Sequence, residues 1–256
     1  MKPPEKRKRS TARAAALCIG IIALVFAFFI LSVFHGSDHT RTSEGGDTEE
    51  GGDTAKETVI ITFTGPVRIC LDVENIMQMP DLPNGCEAVS LAIALRYAGC
   101  SVDPVALYED FMPKSPFKNG DPWTTYVGDA KDKGYGCYAP CVVVAGNNYF
   151  TSVGSELALC DVSGKDLFYY ENLVDGGTPV IMWALVDMNA DPKVCWETNI
   201  NGKYVVWHEY SHCMVLIGYT DDTYIFCDPL RGVREYSKSD TERSFSIMFS
   251  QACIVK

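Results

Sequence analysis

Histidine is scarce in this chain, with four residues in 256. His35 and His39 sit just after an N-terminal apolar run, which leaves His208 and His212 for any chemistry that needs an imidazole. Cationic side chains are thin beyond residue 34. The first 34 residues hold six (Lys2, Lys6, Arg7, Lys8, Arg9, Arg13) against the single acid Glu5, and the remaining 222 hold 16 basic against 32 acidic residues, a formal charge of −16. So acidic a body repels phosphate, which argues against nucleic acid as a partner. No Cys-x-x-Cys motif occurs, which weakens any disulfide-handling role. Cys137 and Cys141, four apart, are too little for a zinc signature on their own, so no metal and no cofactor is expected.

What is present is strongly segmented. Residues 14–34 (AAALCIGIIALVFAFFILSVF) form 21 uncharged positions, which at about 1.5 Å per residue span about 30 Å, one bilayer core. A cleavable signal peptide is the competing reading, but its apolar stretch is usually about 7–15 residues and ends in small residues. Val33-Phe34-His35 stands there instead. An uncleaved signal-anchor transmembrane helix is therefore expected at 14–34, with the basic segment 1–13 cytoplasmic and the rest outside the cell. Residues 35–57 read as a flexible acidic linker, repeating Glu-Gly-Gly-Asp-Thr at 44–48 and 50–54, too polar to bury a core. The folded domain is expected over 58–256.

Eleven cysteines leave ten beyond the apolar run, an even number that becomes odd if one is a free nucleophile. Outside a cell disulfides are permitted. Cys213, Cys227 and Cys253 lie in apolar runs and read better as small core residues.

Within the domain, TVIITFTG and VRICLDV suggest a strand pair turned at Gly65-Pro66. A helix is expected from Cys86 to about Gly99, with Asn84-Gly85 supplying its N-cap. Shorter helical patterns fall at roughly 103–111, 123–133, 139–149 and 165–175. The runs 179–186, 213–220, 223–230 and 251–256 read as strands. Helices followed by a mostly antiparallel sheet give an α+β domain.

Cys86 opens the first long helix, where free backbone N–H groups and the helix dipole favour thiolate over thiol. A thiolate so placed is what nucleophilic catalysis by cysteine needs. His212 leads into the apolar strand HCMVLIGY and can serve as its base; His208 reads as an edge or loop residue. Asp228 ends the next strand, and a hairpin turned at Asp221-Asp222 would bring it to His212, fixing the imidazole tautomer. A core histidine and an Asp-Pro turn are the plainer readings of those two residues. Gln78 could add a side-chain amide to an oxyanion hole completed by the Cys86 N–H. The order Cys at a helix start, His at a strand start and Asp one hairpin later is that of papain-like proteases.

In LDVENIMQMPDLPNGCEAVSLAIALRYAG (71–99), GDAKDKGYGCYAP (128–140), GTPVIMWALVDM (177–188), EYSHCMVLIGYTDDTYIFCDPLRG (209–232) and the terminal QACIVK, the chain resembles papain-like cysteine peptidases. The resemblance is to those related to the bacteriocin leader (double-glycine) peptidase domain, in the stand-alone, membrane-anchored branch of Gram-positive bacteria. It implies a papain-like fold with Cys86, His212 and Asp228 in the triad positions and Gln78 at the oxyanion position. Two departures stand out: Gln78 lies farther from the cysteine than in transporter-linked members, and no ATP-binding cassette accompanies the domain. The expected activity is a cysteine peptidase acting on a peptide or protein substrate outside the cell. An acyl transferase using the same triad and a non-catalytic tethered binding module are the alternatives.

Overall fold

A computed structural model describes residues 67–189, 191–200 and 202–256. The expected cytoplasmic segment, anchor and linker, and the first strand (58–65) of the pair turned at Gly65-Pro66, lie outside these residues. Among the described residues no helix is long and apolar enough to cross a membrane.

In chain order the elements begin with strand β1 (Arg68–Cys70) and helix α1 (Cys86–Tyr97). A turn at Pro104–Ala106, capped by Asp103, widens into a π-helical turn at Leu107–Phe111. Then come β2 (Lys114–Ser115), β3 (Tyr126–Gly128), β4 (Gly134–Gly136), α2 (Ala139–Val153), β5 (Leu159–Asp161), α3 (Leu167–Asp175) and β6 (Val180–Leu185). The rest comprises the hairpin β7 (Val194–Ile200) and β8 (Lys203–His208), then β9 (Ser211–Thr220), β10 (Thr223–Asp228), β11 (Gly232–Ser237), α4 (Lys238–Ile247) and β12 (Ala252–Val255).

The main sheet runs β11-β10-β9-β6-β12-β5, with β1 also paired to β9, and every pairing in it is antiparallel. Strand β6 shows how the sequence builds it. Successive side chains point to opposite faces, so an unbroken apolar run suits a sheet covered on both. Ile181, Trp183 and Leu185 join the core that contains α1 and α2, while Val180, Met182 and Ala184 join a second core with Tyr170 and Val174 of α3 and Phe245 of α4. The same alternation divides β9: Cys213, Val215 and Ile217 go to the first core, Met214 and Leu216 to the second. Three layers result.

Helix α1 is covered all round, with every residue from Cys86 to Leu95 buried, and apart from Glu87 and Ser90 that run is apolar. It packs on β9, where Ser90 Oγ donates to the Cys213 carbonyl at 3.0 Å. The cap differs from expectation: Gly85 is the N-cap residue and no side chain caps the helix. The Asn84 amide instead donates to the Asp132 carbonyl at 2.7 Å, tying the helix entry to the β3–β4 loop.

Two further expectations are corrected. Residues 123–133 are not a helix; the one helical turn at Asp121–Thr125 gives way to β3, and the Asp129 N–H bonds the Lys133 carbonyl to close a tight loop to β4. The β-branched and aromatic residues Thr124–Val127 suit the extended chain better. The chain after 230 holds an unanticipated helix, α4, capped by Ser237, whose side chain accepts from the Asp240 N–H. Ser244 on that helix accepts the Leu185 N–H at 2.7 Å, anchoring the end of β6.

Candidate active site

The start of α1 and the start of β9 meet at one cleft. Cys86, Gln78 and His212 line it together with Tyr135, Trp207, His208 and Leu230. Cys86 is the first residue of α1 and is buried. His212 is the second residue of β9, and its Nε2 bonds Asp228 Oδ1 at 2.8 Å with both side chains buried. The hairpin expected at Asp221-Asp222 joins β9 to β10, which brings the two residues together.

Asp228 is held from several directions. Its Oδ1 also accepts the Leu230 N–H at 2.7 Å and the Arg231 N–H at 3.2 Å, and its Oδ2 accepts the Tyr236 hydroxyl at 3.1 Å. Burial alone would push this carboxyl up. The His212 hydrogen bond and charge, with the Leu230 N–H and the Tyr236 hydroxyl, outweigh that and leave it below its ordinary value. A carboxylate so fixed orients the imidazole and stabilises its protonated form.

Gln78 is buried, and its backbone N–H donates to the Pro229 carbonyl at 2.9 Å, next to Asp228 in the chain. Its side-chain Nε2 donates to the Pro83 carbonyl at 2.7 Å, using one of its two protons, while its Oε1 has no partner among the described residues. His208 ends β8 in the same cleft; its Nδ1 is buried without a partner among the described residues, and burial lowers its pKa.

The state of Cys86 departs from the sequence expectation. Burial and the charge of Glu87 raise the thiol well above its ordinary value, against a hydrogen bond from the Cys213 backbone. The thiol donates to Glu87 Oε2 at 3.4 Å. A helix terminus favours thiolate only while nothing nearer opposes it, and a carboxylate one residue along is nearer.

Glu87 is the residue that sequence reasoning missed. It is 2% exposed, and its Oε1 accepts the Cys137 N–H at 2.9 Å. The Trp183 indole N–H in turn donates to the Cys137 carbonyl at 2.9 Å. The only signal in the sequence was one carboxylic side chain in the run CEAVSLAIAL. Burial pushes the Glu87 carboxyl up to about 7, against the Cys137 and Glu87 backbone N–H groups and the Cys86 thiol. A carboxyl raised in the folded state stabilises the fold fully below its unfolded value near 4.5 and loses that contribution as pH rises to about 7. The stability of the full chain relative to its Glu87→Gln variant is therefore expected to fall by roughly 3 kcal/mol between pH 4.5 and 7.5. Denaturant melts of both chains across that range measure it; a pH-independent difference would refute the assignment.

The sequence profile of the Peptidase_C39 like family matches residues 70–253. The chain belongs to the Peptidase_C39-like family. The uncharacterized protein YvpB of Bacillus subtilis (strain 168) is 28% identical over 220 residues, 82% of each chain. The crystal structure of a candidate C39-like peptidase from Bacillus anthracis superposes with a TM-score of 0.67 at 27% identity, covering 74% of this chain and 98% of that one. A double glycine motif protease from an AMS/PCAT transporter, solved with its leader peptide, gives a TM-score of 0.44 at 21% identity, covering 75% and 96%. Membership of this cysteine peptidase-like family agrees with the resemblance read from the sequence, and with its α+β, mostly antiparallel fold.

Proposed function

We propose that this chain is a thiol hydrolase that cleaves peptide bonds through Cys86, His212 and Asp228. The observation that carries the reading is the buried His212–Asp228 hydrogen bond of 2.8 Å at the cleft that Cys86 lines. In the proposed reaction His212 takes the Cys86 proton, and the thiolate attacks the scissile carbonyl carbon. The oxyanion is held by the Cys86 N–H and by the free proton on Gln78 Nε2. The imidazolium, stabilised by Asp228, gives its proton to the leaving amine as the C–N bond breaks. Water then attacks the thioester with His212 as base, releasing the acid and restoring the thiol.

The location belongs to the same proposal. The basic cluster ahead of residues 14–34 supports an anchor with the domain outside the cell, and the repeated acidic linker supports a tether between them.

One observation favours a second reading. The Glu87 carboxylate against Cys86 Sγ suits a silent thiol, as in a tethered binding module. A peptidyl electrophile that needs an activated thiol separates the two. On the full chain it is expected to label Cys86 faster than the exposed Cys70 and Cys195, read by mass spectrometry of the digested protein. Labelling of Cys86 no faster than Cys70 would remove the enzyme reading.

A further inference from the structure

A buried carboxylate with no cationic partner needs an explanation beyond hydrogen bonding. Among the described residues no Lys, Arg or His pairs with Glu87. The groups that face it are all neutral or acidic: Cys86 on its own helix, Cys137 and Tyr138 after β4, Tyr126 from β3 and Cys213 from β9. Across the cleft, Asp228 adds a further negative charge acting on Cys86. Anchoring the Cys137 N–H requires only an acceptor, which the neutral amide of glutamine would supply without burying charge. Yet the surroundings are shaped to this side chain. Gly136 adopts φ +108°, and a Cβ there would stand 2.1 Å from Glu87 Oε1.

Resting on the reading of Cys86 as nucleophile, we propose that Glu87 is a positioning residue that gates the thiol by its own protonation. As a carboxylate it accepts the S–H hydrogen bond and keeps the proton on sulfur. As a carboxylic acid it donates its O–H to the sulfur, so that when the Cys86 proton passes to His212 the resulting thiolate is stabilised by that bond. No charge is created or lost beyond the Cys86–His212 transfer, and the Glu87 proton comes from solvent. A carboxyl lifted to about 7 by burial titrates where such a gate would be felt. The thiolate is then best supported on the acid side of neutrality.

The test reads sulfur directly and does not depend on any substrate. Iodoacetamide alkylation of Cys86 in the full chain is followed from pH 5.5 to 9 by mass spectrometry of the Cys86 peptide. The fully buried Cys253 reports the background from opening of the fold. The His212→Ala background removes the imidazole from the profile. There the rate is expected to rise about tenfold per pH unit up to about pH 7 and then level, because each proton lost by Glu87 raises the affinity of sulfur for its own. In His212→Ala/Glu87→Gln the plateau is expected to vanish, and the rate at pH 8 to exceed the single variant at least tenfold. An uninterrupted tenfold-per-unit rise in His212→Ala, or a plateau that survives Glu87→Gln, would overturn the proposal. Should the Gln variant fail to fold by circular dichroism, the His212→Ala profile alone decides, plateau for and straight line against. Loss of selective probe labelling would bear on the enzyme reading, whereas this profile bears on Glu87.

Discussion

Under the proposed mechanism, replacing His212 by alanine in the full chain is expected to slow peptide cleavage on the order of 10⁴-fold. The imidazole is asked for two proton transfers, from the Cys86 thiol and to the leaving amine, and no other side chain bonded to Asp228 can supply them. The thiol makes the loss severe, since burial and Glu87 hold its proton more tightly than a free cysteine would. Adding Cys86→Ala to His212→Ala is expected to change little, because in the proposed mechanism the two residues act as one unit. Asp228→Asn should be much milder. Its amide oxygen can still accept from His212 and from the Leu230 N–H, and the Tyr236 hydroxyl can turn to accept from the new amide. Initial rates at matched folded concentration measure all three. A His212→Ala chain within tenfold of the parent would mean that another base serves, with His208 the candidate in the same cleft.

Replacing Gly136 by alanine is expected to destabilise the fold by about 3–5 kcal/mol. Two costs combine. The backbone at φ +108° is one that L side chains rarely adopt, and the new Cβ would meet Glu87 Oε1 at 2.1 Å and the Trp207 ring at 3.0 Å. Relief requires Glu87 to move, which leaves the buried Cys137 N–H without its acceptor. Gly154→Ala is the control. It too has positive φ, at the end of α2, but its Cβ would meet nothing within 4 Å, so only about 1 kcal/mol of backbone strain is expected. Urea melts of the two variants against the parent decide the matter; equal losses would show that the carboxyl gives way freely.

How much of this was legible in the sequence depends on what each signal consisted of. The helix at Cys86 and the strands β6, β9, β10 and β12 were readable because unbroken apolar runs between turn residues have few other homes. The approach of His212 to Asp228 followed from two such runs separated by a short turn. The hairpin β7–β8 was not assigned, because its stability comes from partners distant in the chain. Tyr135 stacks on Trp196 at 5.2 Å, Tyr138 stacks on Trp207 at 4.9 Å, and the Tyr138 hydroxyl donates to the Val206 carbonyl. Helix α4 is mostly polar, and its packing rests on Thr241, Ser244 and Phe245, too few apolar positions for a periodic signal. Glu87 was hidden for the opposite reason. An acid in the first turn of a helix is ordinary, and only the surrounding layers reveal that this one is buried.

The sheet order has a consequence for timing. Strand β12, made of Ala252–Val255, lies between β6 and the edge strand β5, so an interior place in the sheet stays vacant until residues near 255 have been made. Cys86 is synthesised early, His212 and Asp228 much later, and the strand that joins β5 to the rest later still. At about 5–20 residues per second, the wait between Cys86, the proposed nucleophile, and β12 is on the order of ten seconds or more. A ribosome-bound chain therefore carries its cysteine without an assembled partner for most of its synthesis. The proposed site is therefore assembled only after β12 has been made.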